Sequence, residues 1–202
     1  MAEFYRTLTP ELIGFIEAQK LFFTASAGPN GRVNLSPKGY DSLRVLSPVR
    51  LAYVDFPGSG NETANHLAVD GRLTLMWCSF GRRPLVLRVY CLGQTVEPGS
   101  AAFPEIIRSH FSHFDPGIIR RIIVADVESA QTTCGWGVPL FEYVGERSSL
   151  REWAQHKRAA GELEAYIQAH AAPTEEKFPV IDPRAERHAE LEPGPAQAAS
   201  DR

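Results

Sequence analysis

Asp55-Phe56-Pro57-Gly58-Ser59-Gly60-Asn61-Glu62-Thr63-Ala64-Asn65-His66-Leu67 is the stretch of this 202-residue chain whose residue types and spacing could hold a small anion. A strand over 51–55 runs into a Pro-Gly-Ser-Gly turn, and the turn opens a helix with Asn61 at its cap position. N–H groups at a helix start, glycines that allow close approach, and hydroxyls at Ser59 and Thr63 suit a phosphate. The same residues also make an ordinary strand–turn–helix joint, since Pro-Gly and Ser-Gly are common turn dipeptides and Asn is a common cap. The pattern is neither GxGxxG nor the GxxxxGK(S/T) loop.

Other residues offer chemistry singly. Arg88 interrupts a strand that is otherwise apolar on both faces, where an unpaired guanidinium would cost several kcal/mol. It serves either a structural ion pair, with Asp55 a candidate partner, or an anion or cofactor edge. His110 and His113 have a spacing that two metal ligands could use, but no third ligand follows nearby, so exposed or core histidines are the simpler reading. Trp136 lies between Gly135 and Gly137 and either stacks on a planar ligand or fills a tight turn in the core. His66 reads as structural, and Cys134 has no basic neighbour to activate it. No side chain stands out as a general acid or base, and no catalytic residue is assigned.

The elements that must position these residues follow from pattern. Thr9-Pro10-Glu11 starts a helix that ends near Gln19. Leu21 to Ala27 reads as a strand, with a tight turn at Gly28-Pro29-Asn30-Gly31. Arg32 to Pro37 is the next strand, alternating Val33 and Leu35 with Arg32, Asn34 and Ser36. Residues 43–46 form a connection or a short strand, and 49–55 a third strand. The helix from Asn61 closes at Gly71. Strands are expected over 72–80, 85–96 and 120–131, with a helix over 101–114 between the last two. Ser148 or Ser149 caps a final helix reaching about His170. The fold class is mainly β with peripheral helices, a small six-stranded barrel.

Composition bounds the rest. Apolar residues make up 44% of the chain and charged residues 22%, ordinary for a globular domain. Residues 1–172 carry 17 basic and 17 acidic side chains, whereas 173–202 carry 4 and 7. The body is therefore neutral and lacks a basic run, so nucleic acid is not an expected partner. One domain is expected over 1–172, with 173–202 a disordered Pro-, Ala- and Glu-rich tail. Three cysteines without CxxC, Cys78, Cys91 and Cys134, indicate reduced thiols and a cytoplasmic protein. No signal peptide is expected, because Met1 to Lys20 contains Glu3, Glu11 and Glu17 and lacks a continuous apolar core, and no apolar run reaches the ~18 residues of a membrane span.

Four segments, in this order, carry a family resemblance. They are Gly31-Arg32-Val33-Asn34-Leu35-Ser36-Pro37-Lys38-Gly39, Pro57-Gly58-Ser59-Gly60-Asn61-Glu62-Thr63-Ala64, Gly71-Arg72-Leu73-Thr74-Leu75-Met76, and Leu87-Arg88-Val89-Tyr90 with Gly93. Over about Leu8 to Gly145 the chain resembles the pyridoxamine 5′-phosphate oxidase-related flavoproteins, which share an antiparallel split β-barrel and bind FMN. The resemblance implies that Asn34-Leu35-Ser36-Pro37-Lys38 runs beside the flavin ring. It implies that Ser59, Gly60, Asn61 and Thr63 hold the phosphate, with Lys38 or Arg32 neutralising it. It also implies a homodimer with FMN at the interface, where Arg88 and Trp136 could act on the partner subunit's flavin.

One departure matters. Close relatives of the true oxidase carry basic residues where this chain has Asn61 and Glu62. Glu62 would repel a phosphate if it pointed inward; exposed, it would complement the helix dipole by ~0.3–1 kcal/mol. The oxidase's C-terminal substrate sequence is also not recognisable, so pyridoxamine phosphate is not assigned. The expected function is an FMN-dependent oxidoreductase taking a small-molecule electron donor or substrate. The alternatives are a non-catalytic flavin carrier or sensor, or a split barrel that takes F420 or haem.

Overall fold

The computed structural model describes residues 2–29 and 31–173. The expected tail therefore lies outside the described residues, except for Pro173. Thr9 starts α1 (Pro10–Ala18) by accepting from Leu12 N at 3.4 Å, with Pro10 in the first turn. Leu12 and Ile16, one turn apart, are the buried face of this helix.

Among the described residues, eight strands form one antiparallel sheet: β1 (Glu3–Tyr5), β2 (Phe22–Ser26), β3 (Asn34–Lys38), β4 (Leu43–Ser47), β5 (Arg50–Asp55), β6 (Arg72–Cys78), β7 (Val86–Val96) and β8 (Arg121–Thr133). The hydrogen-bonded order is β3-β2-β6-β7-β8-β5-β4, with β1 added to the end of β8. Six strands were expected. The segment 43–46 is the seventh, and β1 the eighth, a three-residue piece with no apolar alternation to announce it.

Two apolar layers hold the sheet. β5 shows why: Leu51 and Tyr53 enter one cluster, while Ala52 and Val54 enter the other, and all four are buried. In the first cluster Phe22 stacks on Trp77 (5.9 Å between centroids) and meets the edge of Tyr53 at 5.5 Å. Leu12 and Ile16 of α1 close that layer. The second layer packs Phe103 and Ile107 of α3 (Ala102–His110), with Phe111 and Phe114 beyond it, on Val54, Ile122 and Val124. The helix expected to reach Phe114 thus ends at His110, and the aromatic residues after it pack from a turn.

Two further departures have simple causes. The link between β2 and β3 spans seven residues, because pairing ends at Ser26–Asn34; it is wider than the expected tight turn. The last helix is two, α4 (Ser149–Ala159) and α5 (Leu163–Ala169), separated at Gly161, whose φ of +72° breaks the helical path. Gly93 is where α2 (Glu62–Val69) meets β7: a Cβ there would lie 2.8 Å from Leu67 Cδ2. That close approach fixes the helix whose first turn borders the candidate site.

Candidate functional site

An open cavity of about 660 Å³ lies between β3, the end of β5, the 56–61 loop and the start of α2. The pleat of β3 sends Asn34, Ser36 and Lys38 toward it, while Leu35 stands 62% exposed on the other face. The loop contributes Gly58, Ser59 and Gly60, and α2 contributes Glu62, Thr63 and Ala64. Two acids reach the lining, Asp55 and Glu62, and the imidazole of His170 arrives from just past α5.

The polar groups are joined in a chain. Ser36 donates to Asn34 Oδ1 (3.4 Å), Asn34 Nδ2 donates to Thr63 Oγ1 (3.1 Å), and Ser26 donates to the same hydroxyl (3.5 Å). Thr63 accepts from both, so its own O–H remains to donate into the cavity. Behind it, Ser26 Oγ lies 3.0 Å from Nδ1 of the buried His66, which gives that histidine the structural role expected of it. Lys38 donates to Asp55 Oδ1 at 3.2 Å. The expected Asp55 partner is therefore Lys38 and not Arg88, whose Nη1 donates to Thr133 Oγ1 at 3.3 Å.

Arg120 sets the shape of the loop. It is 4% exposed, and its two terminal nitrogens donate to Gly60 O (2.6 Å) and Gly58 O (2.7 Å). Burial pushes its guanidinium below its ordinary pKa, with Asp55 opposing that shift. Both carbonyls thereby have a buried donor, and the loop is held in one shape. Asn61 occupies the cap position of α2 without a side-chain capping bond. Instead it donates to Asn65 Oδ1 (3.1 Å) and, with Asn65, to Ala171 O (3.0 and 3.2 Å). The C-terminal helix is thereby tied to the rim.

The expected site residues thus divide. Asn34, Ser36, Pro37, Lys38, Ser59, Gly60, Asn61 and Thr63 share the cavity. Arg32 and the Leu35 side chain are exposed outside it. Arg88 and Trp136 also lie away from it in this chain. Trp136 is 84% exposed, which removes the reading as a core tryptophan. His170 and Arg120 were not anticipated as site residues, and Asp55 and Phe56 were anticipated only as the start of the anion-loop stretch. Asp55 was legible as the acid ending a strand at the loop, whereas Arg120 and His170 reach the site only through the fold.

His113 lies on the outer face with Arg44 and Asp41, 3.3 Å from Arg44 Nη2. Among the described residues no three metal-ligating side chains cluster, and no helix is long and apolar enough to cross a membrane.

No protein-family model matches the chain. The pyridoxamine 5′-phosphate oxidase family protein ustO of Aspergillus flavus is 35% identical over 181 residues, covering 82% of this chain and 72% of its own. Two solved structures share the fold. A single-residue variant of HupZ from Group A Streptococcus superposes with a TM-score of 0.52 at 17% identity, covering 62% of this chain and 99% of the other. A candidate pyridoxamine 5′-phosphate oxidase from Lactobacillus delbrueckii gives 0.51 at 18% identity, covering 62% and 93%. The strand order, the polar cavity and the ustO match agree: this chain belongs to the pyridoxamine 5′-phosphate oxidase family, with its antiparallel split barrel and peripheral helices.

Proposed function

We propose that the chain binds FMN in the cavity between β3 and α2 and works as a flavin-dependent oxidoreductase. The observation that carries this reading is the convergence of Asn34, Ser36, Ser59 and Thr63 on one cavity, backed by Arg120. The donor set fits the group: the hydroxyls of Ser36, Ser59 and Thr63, the amide of Asn34, the first turn of α2, and one lysine. Lys38, Ser59 and Thr63 would hold the phosphate, and the backbone of β3 would meet the polar edge of the ring. FMN, when bound, supplies the hydride and electron chemistry. The protein's share is orientation, exclusion of water, and a fixed loop.

The same reading includes a homodimer. The 134–148 segment leaves β8 without regular structure and exposes Trp136, Leu140, Phe141, Tyr143 and Val144. Apolar side chains at this density are the composition of a covered face.

The visible absorption spectrum of freshly purified protein, repeated on the supernatant after denaturation, tests the cofactor. A yellow protein that releases FMN is the expected result; a colourless protein that takes up no added FMN defeats the proposal. Reduction of the bound flavin by NADH or NADPH, followed by reoxidation with an acceptor, tests turnover. A flavin inert to every donor would favour the carrier or sensor reading.

A further inference from the structure

Among the described residues, two that are not glycine have a positive φ, and they are adjacent: Tyr40 (φ +64°) and Asp41 (φ +54°). They form the centre of a turn that closes with Ser42 N donating to Gly39 O at 3.3 Å. Gly, Asn and Asp take this left-handed conformation at low cost, so Asp41 is ordinary there, whereas an aromatic residue at position 40 is strained.

Groups from other elements hold Tyr40 in place. Its N–H donates to Glu146 Oε2 at 3.3 Å. The Arg151 guanidinium of α4 lies over its ring, 5.2 Å from the centroid. The ring also meets Phe56 edge-on at 5.8 Å, and Phe56 meets Phe114 in the same way at 5.2 Å. Tyr40 and Phe56 both pack on the second apolar layer.

The location of the turn gives the strain a use. Tyr40 follows Lys38, the last residue of β3, by two positions, and both Lys38 and Phe56 line the cavity. Close-packed rings pass a displacement from one to the next. We infer that Tyr40 is a positioning residue for the flavin cavity: its strained turn sets the end of β3, and its ring braces Phe56. This rests on the proposal that the cavity binds flavin. Glu146 and Arg151, which follow β8 in sequence, thereby act on a cavity they do not line. A tyrosine kept for packing alone would matter to stability and leave the flavin affinity of the folded protein unchanged.

The test is a fluorescence-quenching titration with FMN on full-length protein stripped of flavin, with thermal melts to set a temperature at which each variant is folded. Tyr40→Asn suits the left-handed backbone and removes the ring, whereas Tyr40→Phe keeps the ring. The expected result is FMN bound about tenfold more weakly by Tyr40→Asn and within about twofold of wild type by Tyr40→Phe. The visible circular dichroism of bound FMN should change in the first and match wild type in the second. Adding Phe56→Leu to Tyr40→Asn should cost no more than about twofold beyond the weaker-binding single variant, because both act through one wall. Wild-type affinity in folded Tyr40→Asn, or full additivity with Phe56→Leu, overturns the assignment while leaving flavin binding intact. If Tyr40→Asn does not fold, Glu146→Ala decides. That variant removes an exposed acceptor from the Tyr40 N–H and should weaken FMN by about threefold; unchanged affinity there overturns the assignment equally. Failure of the wild type to bind FMN removes the flavin proposal and this one with it.

Discussion

Strands β3 and β7 read differently in sequence and sit differently in the fold, and the contrast separates structure from function in this molecule. β7 is central, paired with β8 along its length and with β6 from Val86 to Leu92, and Leu87, Val89 and Cys91 are buried. β3 is an edge, paired only with β2, and it turns Asn34, Ser36 and Lys38 toward the cavity while Leu35 faces out. Period-2 alternation identifies two faces, but not which of them is inside. At β3 the usual assignment is inverted, and that inversion makes a polar-lined site.

Leu87→Ala should show the largest effect. Leu87 is fully buried, so truncation is expected to cost ~2–5 kcal/mol in denaturant unfolding. Leu35→Ala on the exposed face of β3 should stay within about 0.5 kcal/mol for the monomer. Equal losses at the two positions would mean that β3 is covered as thoroughly as β7.

Arg120→Met comes next. It leaves the carbonyls of Gly58 and Gly60 without their buried donor, at an expected ~2–4 kcal/mol of stability. Flavin affinity should fall with it, by about tenfold or more, because the loop loses its template. A variant that melts early yet binds flavin like wild type would confine Arg120 to stability.

Ser59→Ala combined with Thr63→Ala should weaken FMN by about tenfold through lost hydrogen bonds, with little change in melting. The site strand and its loop would then affect ligand without affecting the core. Unchanged affinity would remove these hydroxyls from the phosphate position.

The smallest effect concerns thiols and pH. Burial pushes the Cys91 thiol on β7 up to about 12, with Glu128 and Asp126 adding to the shift. A thiol whose folded pKa is raised above the unfolded value of about 9 contributes stability below that pH. The contribution is lost as pH rises from about 9 toward 12. Cys91→Ser should flatten the alkaline fall in stability measured by urea unfolding. Iodoacetamide at neutral pH should label the exposed Cys134 first, with Cys91 reacting only on unfolding.

Much of the fold was legible because its signals are local. Thr9-Pro10-Glu11 starts a helix, the apolar run at 86–91 forms a buried strand, and Asp55 to Thr63 makes a strand–loop–helix that lines a cavity. What stayed hidden depends on distant partners. β1 exists because β8 extends far enough to pair with it. Arg120 reads as one more strand-end arginine until the 56–61 loop is folded against it. His170 belongs to the rim because Gly161 breaks the last helix and Ala171 O meets Asn61 and Asn65. The Arg88–Asp55 pairing was a guess from charge alone, and Lys38 proved the nearer cation.

The placement of β8 has a consequence for how the chain is made. Among the described residues β8 is the last strand in sequence, yet it alone there joins β5 and β4 to the β7-β6-β2-β3 half of the sheet, and it also carries β1. A nascent chain that has not yet emerged past about residue 121 holds two half-sheets, each with an unpaired edge on β5 or β7. Such edges are templates for the wrong partner. Arrival of one thirteen-residue strand seals both at once. Barrel closure during biosynthesis is therefore timed by a single late segment, and translational pausing before that segment would lengthen exposure of both edges, whereas pausing after it would not.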